Sequence, residues 1–244
     1  MRRPMKLQKK TTTLCTACII LSYAFLMACS DGREPAKKRT GNVISDSFTF
    51  FDLGTNTKLT HRVRKELEEK LGRDAIQDRN IIDLEINYRG FLKKYFPDLN
   101  ELNQRLNFPP GERVEHNAVK LMYRYARKKN VPFEYVELVF SDYTNTPLFF
   151  RIHFQKDEAN IVETLKTKYG QPEVVDWKEE NGESMFWKKN MDYLIVSLVP
   201  NQFGDHEYQI VIYFVENLNK LIDTEMKEKE KKEEKRSQTG KTAF

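Results

Sequence analysis

The sequence predicts an α+β fold: a helical N-terminal segment over 47–131, followed over 132–215 by an antiparallel sheet with a helix packed on one face. Three observations predict it. Leu59, Val63, Leu67 and Leu71 recur every fourth residue among charges and stop at Gly72, the pattern of an amphipathic helix. Val136, Leu138 and Phe140, then Leu148, Phe150, Ile152 and Phe154, occupy alternate positions on either side of a turn over 141–147, the pattern of a hairpin with one strongly apolar face. Beyond it Ile161, Val162, Leu165 and Tyr169 share a helical face that Gly170 closes and Pro172 keeps from continuing, with Asp157 as the expected cap.

The other elements follow in order. Phe48, Phe50 and Phe51 suggest a short strand over 47–53. Over 81–88, Ile82, Leu84, Ile86 and Tyr88 alternate as in a strand, while Ile81, Leu84, Tyr88, Phe91 and Tyr95 fit one helical face; the helical reading is adopted. Pro97 ends it, and Asp98 is placed to cap a short helix carrying Leu99, Leu102 and Leu106. After the break at Pro109-Pro110-Gly111, the spacing of Val114, Ala118, Leu121, Met122 and Tyr125 predicts a helix over 112–130. Four strands are expected over 174–178, 184–187, 193–199 and 208–215, the first two joined by the turn pair Asn181-Gly182. The segment 216–244 reads as a charged helix or tail with Glu216/Lys220 and Glu225/Lys229 at i,i+4. No apolar stripe persists past Met226, so removal of 223–244 is expected to leave the fold intact.

The chain has 244 residues, 32% of them charged and 39% hydrophobic, which suits a folded soluble body better than a multi-span membrane protein. Its net charge of +5 gives no argument for nucleic acid. Five of the 41 bases and none of the 36 acids lie within residues 1–28, and the remainder is balanced.

Those first residues read as an address. Arg2, Arg3, Lys6, Lys9 and Lys10 precede an uncharged stretch over 11–28 that becomes apolar from Ile19, the n-region and h-region of a signal peptide over 1–28. The stretch ends in Leu26-Met27-Ala28-Cys29, which resembles the lipobox of bacterial lipoproteins, with Met27 the less usual residue of the four. The resemblance covers about 30 residues at the N-terminus and implies nothing about the fold behind it. It implies cleavage before Cys29, acylation of that thiol, and attachment to a membrane by several chains, each contributing ~0.8 kcal/mol per buried methylene. Cys15, Cys18 and Cys29 are the three cysteines, so a mature chain beginning at Cys29 keeps one thiol and makes no internal disulfide. Residues 29–46 then form a polar tether. Ser30 after the cysteine resembles lipoproteins sent to the outer membrane, facing the periplasm.

The mature body offers no chemistry motif. His61, His116, His153 and His206 are too far apart in sequence for paired ligand spacing, and no nucleophile elbow, zincin helix, phosphate loop or dinucleotide glycine pattern occurs. No metal, cofactor or enzymatic activity is therefore expected. Two constellations remain. Arg124, Arg127, Lys128 and Lys129 crowd the end of the expected 112–130 helix, where they compensate its dipole or face an acidic partner. The aromatics Tyr135, Phe149, Trp177 and Trp187 either lie exposed on the second sheet face, as a recognition surface, or sit beneath the first segment. The expected function is a membrane-anchored cell-envelope lipoprotein acting as a non-catalytic protein-binding or envelope-assembly module, its partners a membrane and an envelope protein. The alternative is a binder of glycan or lipid in a cleft between the helical and sheet segments, with Asn100, Asn103 and Asn107 near that junction.

Overall fold

Alternating apolar residues assemble an eight-stranded sheet in the order β1-β2-β3-β4-β8-β7-β6-β5, with every neighbouring pair antiparallel. Its strands are β1 (Ala75–Asn80), β2 (His116–Arg124), β3 (Tyr135–Ser141), β4 (Pro147–Phe154), β5 (Glu173–Trp177), β6 (Gly182–Lys189), β7 (Asp192–Pro200) and β8 (His206–Tyr213). The helices are α1 (His61–Leu71), α2 (Phe91–Tyr95), α3 (Pro97–Leu106), α4 (Ile161–Tyr169) and α5 (Val215–Thr242). The computed structural model describes residues 46–124, 130–155, 160–177, 182–200 and 206–242, which belong to one compact unit, Ile44–Phe244. The signal peptide, Cys29, most of the tether, Arg127, Lys128 and Lys129 lie outside the described residues.

A leading helix and four strands occur twice, as α1 with β1 to β4, where α2 and α3 are inserted between β1 and β2, and as α4 with β5 to β8 without insertion. Each set runs from an outer edge of the sheet to its centre, where β4 pairs with β8. Both leading helices end at a glycine with positive φ, Gly72 at 95° and Gly170 at 87°, a conformation that costs residues with a Cβ. Thr60 opens α1 by accepting from the backbone N–H of Val63 at 3.2 Å.

Both sheet faces are covered. Leu67 and Leu71 of α1 and Val162 of α4 join Leu121, Leu138, Phe150, Ile212 and Trp187 on one side. On the other, α2, α3 and the first turns of α5 supply Phe91, Leu99, Leu102, Leu218 and Leu221 over Phe149, Ile195, Val211 and Tyr213. An α+β fold with a helix against an antiparallel sheet is thus what the chain forms, but the helical character expected of 47–131 is not. Two strands come from that segment and pair with the rest.

Two corrections have separate causes. The helix expected over 112–130 is instead strand β2, in which Val119, Leu121 and Tyr123 face α1 while Ala118 faces the opposite core. A strand buried on both faces loses its period-2 signature, and its apolar residues then fit helical spacing by chance. The segment 81–88 is neither helix nor strand. Ile82, Leu84 and Ile86 are buried at alternate positions, as in a strand, but side chains rather than a neighbouring strand meet its backbone. Tyr213 Oη donates to Leu84 O at 2.6 Å, Asn107 Nδ2 to Ile82 O at 3.0 Å, and Leu84 N to Asn103 Oδ1 at 2.9 Å. The strand expected over 47–53 is reduced to one bridge between Phe50 and Leu53. α3 begins at Pro97 itself, the first-turn position that tolerates a missing N–H.

Candidate binding cleft

The sheet face beneath α2 and α3 changes character along its strands. Toward one end it is apolar, with Phe149, Val211 and Tyr213 in the core. Toward the other the same alternation presents Tyr135 and Glu137 from β3, Arg151 and His153 from β4, and Gln209 from β8. Strand register aligns them in cross-strand rows: Tyr135 opposite His153 opposite Gln209, and Glu137 opposite Arg151. The segment 81–89, held by Asn103 and Asn107, forms the facing wall of a cleft of about 1050 Å³.

The floor is a charge network. Tyr135 Oη donates to Glu137 Oε2 in a short hydrogen bond, and burial together with that carboxylate pushes the phenol pKa well up. Glu137 is only 6% exposed. Its other oxygen, Oε1, lies 3.6 Å from both Lys120 Nζ and Arg151 Nη1, yet accepts no hydrogen bond. Arg151 donates through Nη2 to Asp83 O at 3.2 Å and stacks its guanidinium 5.3 Å from the Phe149 ring centroid, leaving Nε unpartnered. Asn87 Oδ1, on the facing wall, is the third buried polar atom of the cleft without a hydrogen-bond partner. In the outer row Gln209 Nε2 lies 3.1 Å from His153 Nε2, so the amide donates and the imidazole carries its proton on Nδ1.

Burial, and next to it the Arg151 charge, lower the His153 pKa below its ordinary 6.5. The folded state then binds fewer protons than the unfolded chain between the two values. This contribution to stability is complete above about pH 6.5 and is lost as pH falls through the lower folded pKa. Urea midpoints of the native chain are expected to fall between pH 7 and pH 5, and His153→Gln to flatten that fall. Parallel profiles for the two proteins would show that His153 does not set the slope.

The sequence-derived residues separate. Tyr135 is half-buried on the cleft floor, and Arg124 is exposed on β2 opposite it. Phe149 is 1% exposed, Trp177 4% and Trp187 6%, so of the two readings it is burial against the first segment, not an exposed recognition face, that holds for these three. The tryptophans lie in opposite cores, Trp177 donating to Ser184 Oγ at 3.0 Å and Trp187 to Gly170 O at 2.8 Å. Of the basic cluster only Arg124 is described, and it ends a strand rather than lying within the expected helix. Asn103 and Asn107 do line the cleft, whereas Asn100 does not; their amides are engaged in fastening the wall. Glu137, Arg151 and Gln209 escaped the sequence reading. Their signal was present as Tyr135/Glu137 and Arg151/His153, polar pairs at period 2 inside a hairpin whose other face is wholly apolar.

A second hollow of about 490 Å³ lies beside Thr55 and Asp192. Asp192 accepts from Thr55 Oγ1 at 2.6 Å and from Val215 N at 3.0 Å, and burial raises its pKa. It thus fastens the start of α5. Among the described residues, no group of three or more His, Cys, Asp or Glu is placed to hold a metal, and no helix is long and apolar enough to cross a membrane. Compared with protein-family models, curated proteins and solved structures, the chain matches none.

Proposed function

We propose that this chain is a lipid-anchored cell-envelope protein that binds a ligand, without catalysis, in the cleft between the sheet and the 81–107 segment. The observation that carries the reading is the cleft floor. Glu137, Arg151 and Asn87, from β3, β4 and the facing wall, line one cavity, and each carries a buried polar atom without a hydrogen-bond partner, where buried polar groups are ordinarily satisfied. A cavity of this size with a few convergent polar groups is the usual form of a ligand site. The protein-binding module that the sequence leads one to expect first leaned on exposed aromatics, and Phe149, Trp177 and Trp187 are core residues. The anchor, its outer-membrane destination and its periplasmic orientation rest on the lipobox resemblance at Leu26-Met27-Ala28-Cys29 and on Ser30.

The test is site-specific photo-crosslinking in intact cells. A benzophenone residue at Gln104, exposed on the cleft rim, is expected to capture the ligand, whereas one at Val174, exposed on edge strand β5, is not. Mass spectrometry then reads the adduct. The absence of a Gln104 adduct, or equal adducts at both sites, overturns the cleft as the binding site. In the same cells Cys29→Ala is expected to move the protein to the soluble fraction with its urea midpoint unchanged. Retention in the membrane fraction overturns the anchor.

A further inference from the structure

We infer that the cleft takes an extended, basic segment of a partner polypeptide, which adds as a strand along the 81–86 wall. The inference rests on the cleft being a binding site and adds the class of ligand. Its starting point is an extended segment without a neighbouring strand. Ile82, Leu84 and Ile86 are buried at alternate positions, while Ile81 is 43% exposed and Asp83 lies open to solvent. In an extended chain successive residues aim their N–H and C=O groups at opposite edges. The edge of Ile82 and Leu84 is closed by Asn107, Asn103 and Tyr213. The edge of Ile81, Asp83 and Glu85 is closed only in part. Arg151 Nη2 donates to Asp83 O at 3.2 Å, and Glu85 N donates to Asp83 Oδ1 at 3.0 Å. The N–H and C=O of Ile81, the N–H of Asp83 and the C=O of Glu85 have no protein partner among the described residues. The residues that own them line the cleft and are exposed or half-buried, so an incoming chain reaches them. Unpaired extended backbone of this kind is the template on which a further strand pairs.

The lining selects the charge of that strand. Glu137 is compensated by Lys120 and Arg151, each 3.6 Å away. What remains is Asp83, Glu85 and Glu207 against Arg89, and burial holds His153 toward its neutral form. Glu85 Oε1 accepts from Gly90 N and Leu92 N, which fixes it in place with its charge kept. Asp83 is exposed and Glu207 half-buried, so a cation approaches both from solvent. On an added strand the residues opposite Asp83 and Glu85 share their face, so lysine or arginine at alternate positions meets both carboxylates. The residues between turn toward the sheet, where Tyr135 and Tyr208 line the cleft. Ile81 shares the outer end of the wall with Phe108, which is 70% exposed, since their neighbours Ile82 and Asn107 are hydrogen-bonded. An apolar residue at that end of the segment covers both side chains. A saccharide brings no charge to answer the carboxylates, an acidic polypeptide is repelled by them, and a lipid chain would leave the polar wall unpaired.

The test is fluorescence anisotropy of the full chain in mild detergent with labelled heptapeptides. One alternates Lys and Val, one alternates Glu and Val, and two are the basic peptide N-methylated on its lysine amides or on its valine amides. The basic peptide is expected to bind saturably, and the acidic one is not. Each methylation removes the donors of one strand edge, so one methylated form is expected to lose about tenfold or more in affinity and the other to keep it. Attraction by charge alone would treat the two forms alike. The double variant Asp83→Asn/Glu207→Gln keeps an oxygen acceptor at both positions and is expected to weaken the basic peptide about three- to tenfold. Four results overturn the inference: no saturable binding of the basic peptide, equal binding of the acidic one, equal affinities of the two methylated forms, or an affinity unchanged in the double variant. If it falls while the Gln104 adduct still forms, the cleft remains the binding site and only the ligand class is wrong. If that adduct is also missing, both readings fall together.

Discussion

Phe149→Ala is expected to lower the stability of the chain by about 3–5 kcal/mol, read as a large fall in urea midpoint with the slope kept. Phe149 is 1% exposed, in the core that Leu99, Leu102, Val211 and Tyr213 also share, and Arg151 lays its guanidinium over the ring. Deleting the ring removes its transfer free energy and leaves a cavity under α2 and α3. A domain whose total stability is on the order of 5–15 kcal/mol loses a large share of it. Tyr135→Ala gives the contrast. That ring is half-buried on the cleft floor, edge-on to His153 at 5.5 Å, and its removal, with the hydrogen bond to Glu137, is expected to cost about 1.5–3 kcal/mol. Equal and small losses for the two variants would return Phe149 to the surface. The recognition role first suggested for it would then stand again.

The contrast between those residues shows what the sequence makes legible. Where apolar residues recur at one regular spacing the periodicity is visible, and α1, the β3–β4 hairpin, α4 and strands β5 to β8 all follow from such patterns. β2 carries apolar residues on both faces, Ala118 and Met122 on one and Val119, Leu121 and Tyr123 on the other, and its alternation is masked for that reason. The wall of the cleft was hidden for a different cause. The conformation of 81–88 is fixed by partners far along the chain, among them Tyr213, 129 residues from Leu84, and Asn107, 25 residues from Ile82. No local propensity encodes such contacts. The asparagines near the junction were visible, but their spacing does not tell whether an amide meets a ligand or a backbone. In the folded chain they hold the wall, and the polar side chains of the cleft floor belong to the polar face of the hairpin.

Ending the chain after Ile222 is expected to cost about 2–4 kcal/mol, whereas ending it after Glu230 is expected to stay within about 0.5 kcal/mol of the full chain. The sequence alone expects neither truncation to matter, because no apolar stripe continues past Met226. α5 is fastened there by polar contacts instead. His116 is 3% exposed, and its two ring nitrogens both face acceptors, Glu225 Oε2 at 2.7 Å from Nδ1 and Leu106 O at 3.0 Å from Nε2. The second oxygen of Glu225 accepts from Asn117 N at 2.8 Å, and Glu228 accepts from Tyr143 Oη at 2.9 Å. One carboxylate thus serves both a buried imidazole and the backbone of β2 near its start, tying α5 to the end of α3 through His116. Hydrogen bonds to charged groups contribute ~1.5–3 kcal/mol each, and ending the chain after Ile222 removes three of them, two to one carboxylate, so their losses overlap rather than add. Beyond Glu230 the helix is exposed through residue 239, and its charged side chains are of the kind whose surface pairing contributes little. Glu225→Ala in the full chain separates the contact from the helix that carries it. A loss of about 1.5–3 kcal/mol assigns the fastening to this carboxylate. An unchanged midpoint in both the variant and the shorter chain would return 223–244 to the role of a solvated tail.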